Sequence, residues 1–526
     1  MGRSPRRAVA TALLCLALAI TGAACTVGPS ERPPVAVRGE NVPAAPTGTA
    51  SGPALDEELP EPEAGLVSVP FVDCTQDSLL AAPPVPADRA LQVECAEIIV
   101  PADPDQPGLG GISLGVSRVS LASARPDDLP PLLTVGDSGV DPSAAHAVTL
   151  ATQVSPSVLD RFAIVGLDRR GSGVDLLDCA PGGARAALVD ATVTSEEALA
   201  DLLEEARDIV QECNLSLDGG LSTYRTVLTA SDVEQLRIDL GVRRLSAVGV
   251  GDGAAALAAW ARSAPTAVGR LVLDGPPYPG LDEPDLSESR AGAAEAAFEA
   301  FAVVCRTAGA ACPLGPDPRA AVSALLDRLR VQPLAAVDGT RLTAGAALTV
   351  LLDRLGDPQA WPGLAFALGA AVDGDPTPLL AAIAPITGAG GRFDGMLATT
   401  CNDTRRRLSP GEIAELTTSW RTAYPLFGTI LAMRLVACAP WPTSAGPDLA
   451  GRADGAPPIL VLGTAADPEG ALEGSRRTAE GLASARFLSW QGAGTGAYPR
   501  TPCVTGFVDA MLVGGVVPPS GILCPP

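Results

Sequence analysis

The stretch Arg243 to Arg262, reading RRLSAVGVGDGAAALAAWAR, sets the terms on which the chain can fold. Leu245, Ala247 and Val248 lie in an apolar run of strand length. Gly249-Val250-Gly251-Asp252-Gly253 follows, and an Ala/Leu-rich run of helical character ends at Pro265. Strand, glycine-packed turn and helix is the layout that lifts one side chain above a parallel sheet, and turns of this kind read G-x-S-x-G. The flanking glycines stand at Gly249 and Gly253, but the middle position is Gly251. The frame of an active site is present and its nucleophile is absent.

Strand and helix patterns alternate around this stretch. Val93 to Val100 and Ile112 to Leu121 read as paired strands. Leu132 to Val135 runs into Gly136-Asp137-Ser138-Gly139, and Phe162 to Leu167 runs into Asp168-Arg169-Arg170-Gly171-Ser172-Gly173. Ser231 to Leu240 reads as a helix with Ser231 as cap, Glu234 completing a capping box and Gly241 as stop. Leu271 to Leu273 ends at Asp274-Gly275; Ile459 to Leu462 ends at Asp467-Pro468; Phe487 to Trp490 leads to Gly492-Ala493-Gly494-Thr495-Gly496. Such alternation implies a mostly parallel α/β sheet with right-handed crossovers, with functional groups at the carboxyl ends of its strands. Between about 287 and 390 the strands give way to Ala-rich helical stretches, which predicts an inserted helical cap. The expected division is a core over 66–286, the cap over 287–390 and the rest of the core over 391–526.

The N-terminus reads as a targeting segment. Arg3, Arg6 and Arg7 precede the apolar run Ala8 to Ile20, and Gly22-Ala23-Ala24 lead into Cys25. That resembles a bacterial lipobox, in which Cys25 is lipidated after cleavage within 1–25, although Gly22 stands where Leu is usual. An ordinary secretory signal is the alternative. Residues 26–65, rich in Pro, Ala, Gly and Glu, predict a disordered tether. Cysteine usage agrees with export. Setting aside Cys15 and Cys25, ten of the twelve remain: Cys74, Cys95, Cys179, Cys213, Cys305, Cys312, Cys401, Cys438, Cys503 and Cys524. An even number in an exported chain reads as disulfides, with sequential neighbours as the preferred pairing. No C-x-x-C occurs and His146 is the single histidine, so no zinc site is predicted. No cofactor is expected either. The net charge of −23 argues against nucleic acid and against anionic membrane except through the lipid anchor.

From about Phe71 to its end the chain resembles the actinobacterial secreted α/β-hydrolases of the tripeptidyl-aminopeptidase type, in the clan of prolyl aminopeptidases. The matching pieces are Asp168 to Gly173, the turn Gly249 to Gly253, Leu271 to Gly275, Asp467-Pro468 and the closing segment Cys503 to Cys524. The resemblance implies an α/β-hydrolase fold with a helical cap and a Ser-His-Asp triad. Carried over by position, the serine is Gly251, the histidine is Thr495 and only the acid survives, as Asp467. The family's Gly-Gly-Pro-Gly oxyanion loop is here Gly136-Asp137-Ser138-Gly139, and a carboxylate at Asp137 opposes stabilisation of a developing oxyanion.

A hydroxyl needs a neighbouring base to attack a carbonyl; glycine offers no atom and threonine no base. Two displaced routes remain. Asp252 can be weighed as a carboxylate nucleophile, as in dehalogenase-like relatives of the fold, and His146 as a relocated base, against the plainer reading of a packed or surface histidine. Ser138 and Ser172 read as turn residues; Asp168, Arg169, Asp274 and Asp467 read as groups fixing strand-end loops. The expectation is an exported homologue that binds an unknown peptide, small ligand or envelope protein, with an active peptidase or esterase using a displaced catalytic set as the alternative.

Overall fold

The computed structural model describes residues 59–526 except 88, 138–141, 193–194, 279 and 443–450. Cys25, the signal segment, the tether as far as residue 58, and Ser138 and Gly139 lie outside the described residues.

Ten strands form one sheet: β1 (Val72–Asp73), β2 (Leu91–Pro101), β3 (Gly111–Leu121), β4 (Pro131–Val135), β5 (Ala163–Leu167), β6 (Leu245–Val250), β7 (Val268–Asp274) and, beyond a small hairpin of β8 (Leu334–Ala335) with β9 (Arg341–Leu342), β10 (Ile459–Ala466), β11 (Ala485–Ala493) and β12 (Ile522–Cys524). The spatial order is β1-β2-β3-β5-β4-β6-β7-β10-β11-β12. Pairs among the first three strands, and β3 with β5, are antiparallel; every pair from β5 to β12 is parallel. This is the α/β-hydrolase fold anticipated above.

Alternation within the strands divides the core. Leu133, Val135, Val165, Ala247, Leu271 and Val461 pack on one face of the sheet. Their chain neighbours Leu132, Ile164, Val248, Val272 and Leu460 pack on the other. Successive side chains of a strand point to opposite faces, so strands covered on both sides read as continuous apolar runs. A third core fills the helical layer, where Phe298, Phe301, Trp361 and Phe427 are buried together.

The helical layer is larger than the cap drawn from sequence. Helices run from Glu283 to Arg434, and a short 3-10 turn carries them to Cys438. The expected return to the core at residue 391 is therefore corrected: the sheet resumes only at Ile459. Gly182–Val189 and Glu196–Ser216, drawn as core, also pack into this layer through Leu188, Leu199 and Ile209. Ala-rich amphipathic helices carry no mark of the layer they join, which is why the boundary was misplaced.

Two further readings change. Leu59 is buried, Glu61 pairs with Arg161 and Arg270, and Glu63 pairs with Arg243. The last stretch of the supposed tether is thus held on the core, because its acids find arginines there. The helix placed at Ser231 to Leu240 begins earlier, at Thr226, and ends at Asp239. Ser231 is interior to it, with its hydroxyl donating to the Val227 carbonyl. Glu234 caps nothing: it accepts from Arg237 and from the Trp260 indole.

The ten cysteines are joined as sequential neighbours: Cys74–Cys95, Cys179–Cys213, Cys305–Cys312, Cys401–Cys438 and Cys503–Cys524. Among the described residues, no helix is long and apolar enough to cross a membrane.

Candidate functional site

The carboxyl ends of adjacent parallel strands deliver the site. Val135 pairs with Gly249, and Val250 with Asp274, so the chain leaves β4, β6 and β7 side by side. Asp137 follows β4, Gly251 follows β6, Asp467 follows β10 and Thr495 follows β11.

The elbow keeps its shape. Gly251 has φ 57 and ψ −125, a conformation costly to any residue with a Cβ, and its N–H donates to the Asp274 carbonyl at 2.9 Å. Helix Asp252–Ser263 starts at once, its Ala-rich face sealed against the sheet. Gly253 permits this, since a Cβ there would run into the Val135 and Gly136 carbonyls.

What occupies the elbow is a carboxylate. A Cβ on residue 251 would overlap the Asp137 side chain, whose Oδ2 is the nearest atom. That same Oδ2 accepts the Asp252 N–H at 2.9 Å. The N–H after the nucleophile position is the one that serves an oxyanion in elbows of this type. A helix N-terminus favours negative charge, so Asp137 is well placed to hold this donor. Asp137 itself is almost fully buried.

Asp252 is bound as well. Its Oδ1 forms an ion pair with the buried Arg169 guanidinium. Asp252, Asp137 and Asp403 together hold the Arg169 pKa above its usual value despite the opposing effect of burial. Arg169 was read from sequence as a loop-fixing residue; it is instead the counter-charge of the elbow. Arg170 supplies the fixing. It makes a two-pronged pair with the buried Asp232, at 2.7 and 2.8 Å, and also donates to the Pro101, Ala102 and Thr223 carbonyls. Asp168 holds the same loop by accepting the N–H groups of Ala144 and Val174, and Ser172 closes it on the Arg169 carbonyl.

Asp467 and Thr495 do meet. The Thr495 hydroxyl donates to Asp467 Oδ1 at 2.7 Å, so the acid position and the position expected for a base remain in contact. Burial raises the Asp467 pKa to about 8, with the Thr495 hydroxyl working against the rise. Thr495 is also tied to the cap, its N–H donating to the Gly356 carbonyl at 2.8 Å. Asp274 stays in a supporting role: its Oδ2 accepts the N–H groups of Ala497 and Tyr498, and burial raises its pKa to about 6.

His146 sits on helix Ser143–Gln153 and is not among the residues lining either cavity at the elbow. The structure does not bring it to the site. One cluster of the described residues has the proximity for a metal ion, Cys179, Cys213 and Asp394. Its sulfurs are bonded to each other, and Asp394 Oδ2 is taken by the N–H groups of Cys179 and Ala180 and by Arg185.

Two cavities open on the elbow and share Asp252, Glu283, Arg290 and Thr400. The first, about 190 Å³, lies between the elbow and the helical layer. The second, about 240 Å³, is bounded by Arg225, Arg262, Tyr278 and Asp403. Arg290 reaches Glu283 at 3.6 Å and Glu469 at 3.8 Å across their junction.

A family model described as TAP-like protein matches residues 424–524. The chain is 27% identical over 457 residues to the serine protease Hip1 of Mycobacterium tuberculosis, covering 82% of this chain and 87% of that protein. It is 27% identical over 464 residues to carboxylesterase B of the same organism, covering 82% and 86%. Among solved structures, the proline iminopeptidase of Mycobacterium smegmatis is 14% identical, with a TM-score of 0.33, covering 80% of this chain and all (100%) of that one.

Proposed function

We propose that this chain, a TAP-like α/β-hydrolase, is a catalytically silent member of its family whose cleft binds a ligand or partner rather than cleaving one. The observation that carries this reading is the Asp137 carboxylate, standing in the space of a residue-251 side chain and holding the Asp252 N–H. Attack on a carbonyl needs an attacking atom, a proton acceptor and a donor for the oxyanion. Gly251 lacks the first, Thr495 cannot be the second, and the third is engaged by an anion of the protein's own.

The Asp252 route is disfavoured on the same ground. A carboxylate nucleophile must be free to attack and needs a base for the hydrolytic water. Asp252 is ion-paired to Arg169, and His146 does not line the cleft. Export and anchoring through Cys25 belong to the same proposal, supported by the lipobox-like segment and by five disulfides, which persist in oxidising compartments.

A fluorophosphonate probe tests the reading, since it labels serines activated for attack. The purified protein should remain unlabelled under conditions that label an active serine hydrolase to completion. Stoichiometric labelling of any serine overturns the proposal.

A further inference from the structure

The cavity between elbow and helical layer is two-natured. Leu188, Leu352, Ile386, Leu397, Leu431 and Leu435 give it an apolar wall. Three arginines also face it: Arg290, Arg392 and Arg434. Two of these have acidic partners, Arg290 in Glu283 and Glu469 and Arg392 in Asp353. Arg434 differs. It is the last residue of helix Gly428–Arg434, and its contacts are the Thr349 hydroxyl and, at 3.4 Å, the Val189 carbonyl. Among the described residues, no carboxylate lies within ion-pair distance of it. Its Nε is shut off from solvent and has no hydrogen-bond partner. Burial lowers its pKa to about 10, only partly opposed by the charge of Glu469.

Arg434 is half-buried and borders the cavity with only neutral hydrogen-bond partners, so a guanidinium there lacks a counter-charge, and its fork of donors matches a carboxylate or phosphate oxygen pair. The rest of the wall decides between them. Five carboxylates line the same cavity, Asp137, Asp252, Glu283, Asp353 and Glu469, against three arginines, so a dianionic phosphate would meet repulsion that a monoanion halves. The apolar wall calls for a hydrocarbon body and excludes a strongly hydrated ion.

We propose that the natural occupant of this cavity is a small hydrophobic monocarboxylate, its carboxylate on the Arg434 guanidinium and its hydrocarbon body against the leucine wall. This rests on the reading of the cleft as a binding site and names the chemical class it takes. The ligand adds the missing counter-charge without any covalent step.

Calorimetric titration of the intact protein with octanoate, octan-1-ol and octyl phosphate tests the proposal. Octanoate should bind one-to-one and at least about tenfold more tightly than the alcohol, the scale of a hydrogen bond to a charged group. It should also bind more tightly than the phosphate. Arg434→Gln should abolish the preference for octanoate over the alcohol. Leu397→Trp, which fills the apolar end and leaves Arg434 in place, should weaken octanoate by a similar factor and serves if the arginine variant does not fold. Equal binding of acid and alcohol, stronger binding of the phosphate, no binding of octanoate, or an unchanged preference in Arg434→Gln would each overturn it. None of these results bears on turnover or on probe labelling, so this inference can fail while the silent-hydrolase reading stands.

Discussion

Asp137 and Gly251 fill each other's space: the carboxylate at the end of β4 stands where a side chain at the tip of the β6 turn would begin. Each residue suits the other. A serine at 251 without room is strained, and an aspartate at 137 beside a true nucleophile would repel the charge that forms there.

The first prediction follows from that complementarity. Gly251→Ser in the native background should destabilise the protein by about 2 to 4 kcal/mol, from the positive φ and the overlap with Asp137 together. Adding Asp137→Gly should recover part of this loss, since it removes the overlap and leaves only the backbone strain. Urea denaturation of the single and double variants gives both numbers. Additive losses in the double variant would contradict the packing described here.

Arg170 and Asp232 should be the costliest charged pair to break away from the elbow. Both side chains are about 2% exposed, and the pair fixes the loop that presents Arg169 to Asp252. Asp232→Ala leaves a buried cation and should cost about 3 to 5 kcal/mol. Replacing both residues with apolar ones, as in Arg170→Met with Asp232→Leu, should recover only a fraction, because the Pro101, Ala102 and Thr223 carbonyls lose their donor. Chemical denaturation of the three variants measures this; full recovery in the double variant would show that those carbonyl contacts carry no weight.

Stability should fall as pH rises from about 4 to 8. Asp467 has a folded pKa raised by burial to about 8, against an ordinary value near 4 when unfolded. In that window the folded state keeps a proton that the unfolded state has released. Rising pH therefore favours unfolding, and the effect levels off above the folded pKa and below the unfolded one. Asp168 and Asp274, both raised by burial to about 6, add to the slope between about 4 and 6. Asp467→Asn should remove the slope between about 6 and 8 and reduce, without abolishing, the steeper slope between about 4 and 6, where Asp168 and Asp274 still contribute. Melting temperatures across this range check it, and an unchanged slope in the variant would remove Asp467 as its source.

The Cys401–Cys438 bond closes a loop with a sequence separation of 37 and ends beside the apolar cavity, which Cys438 lines. On chain-entropy grounds its removal should cost about 4 kcal/mol. Cys401→Ala with Cys438→Ala, compared with the parent by urea denaturation, should show a loss of that order. A loss under about 1 kcal/mol would mean that packing of the helical layer, rather than the bond, holds these segments.

Much of the frame was legible in the chain. Periodicity and glycine placement located β4, β5, β6, β7, β10 and β11, because strands buried on both faces must be apolar throughout and their ends must turn tightly. That glycine stands at the tip of the β6 turn and threonine after β11 was legible for a simpler reason: a chemical requirement either has its atom or lacks it. What stayed hidden depends on contacts between distant segments. Arg169 could be seen beside Arg170 but not assigned to Asp252, since one guanidinium turns inward to Asp232 and the other toward the elbow only once the loop is folded. The helix at Thr226 escaped notice because its N-terminal Arg225 makes no side-chain cap, while Ser231 and Glu234 mimic one inside it. Asp137 was legible as a carboxylate in the loop where the resemblance places an oxyanion hole, but not as the group that fills the space beside Gly251, which depends on how β4 and β6 end side by side.

The measurement that bears most directly on the central claim is turnover by the purified protein, free of tag, on p-nitrophenyl esters and on peptide anilides, beside Asp137→Gly/Gly251→Ser/Thr495→His. The native protein should hydrolyse neither above the buffer rate, and the triple variant should show measurable esterase activity once an attacking hydroxyl, an imidazole and a vacated Asp252 N–H stand together. Saturable hydrolysis by the native protein, travelling with it through successive chromatographic steps and lost in Asp252→Asn, would contradict the account.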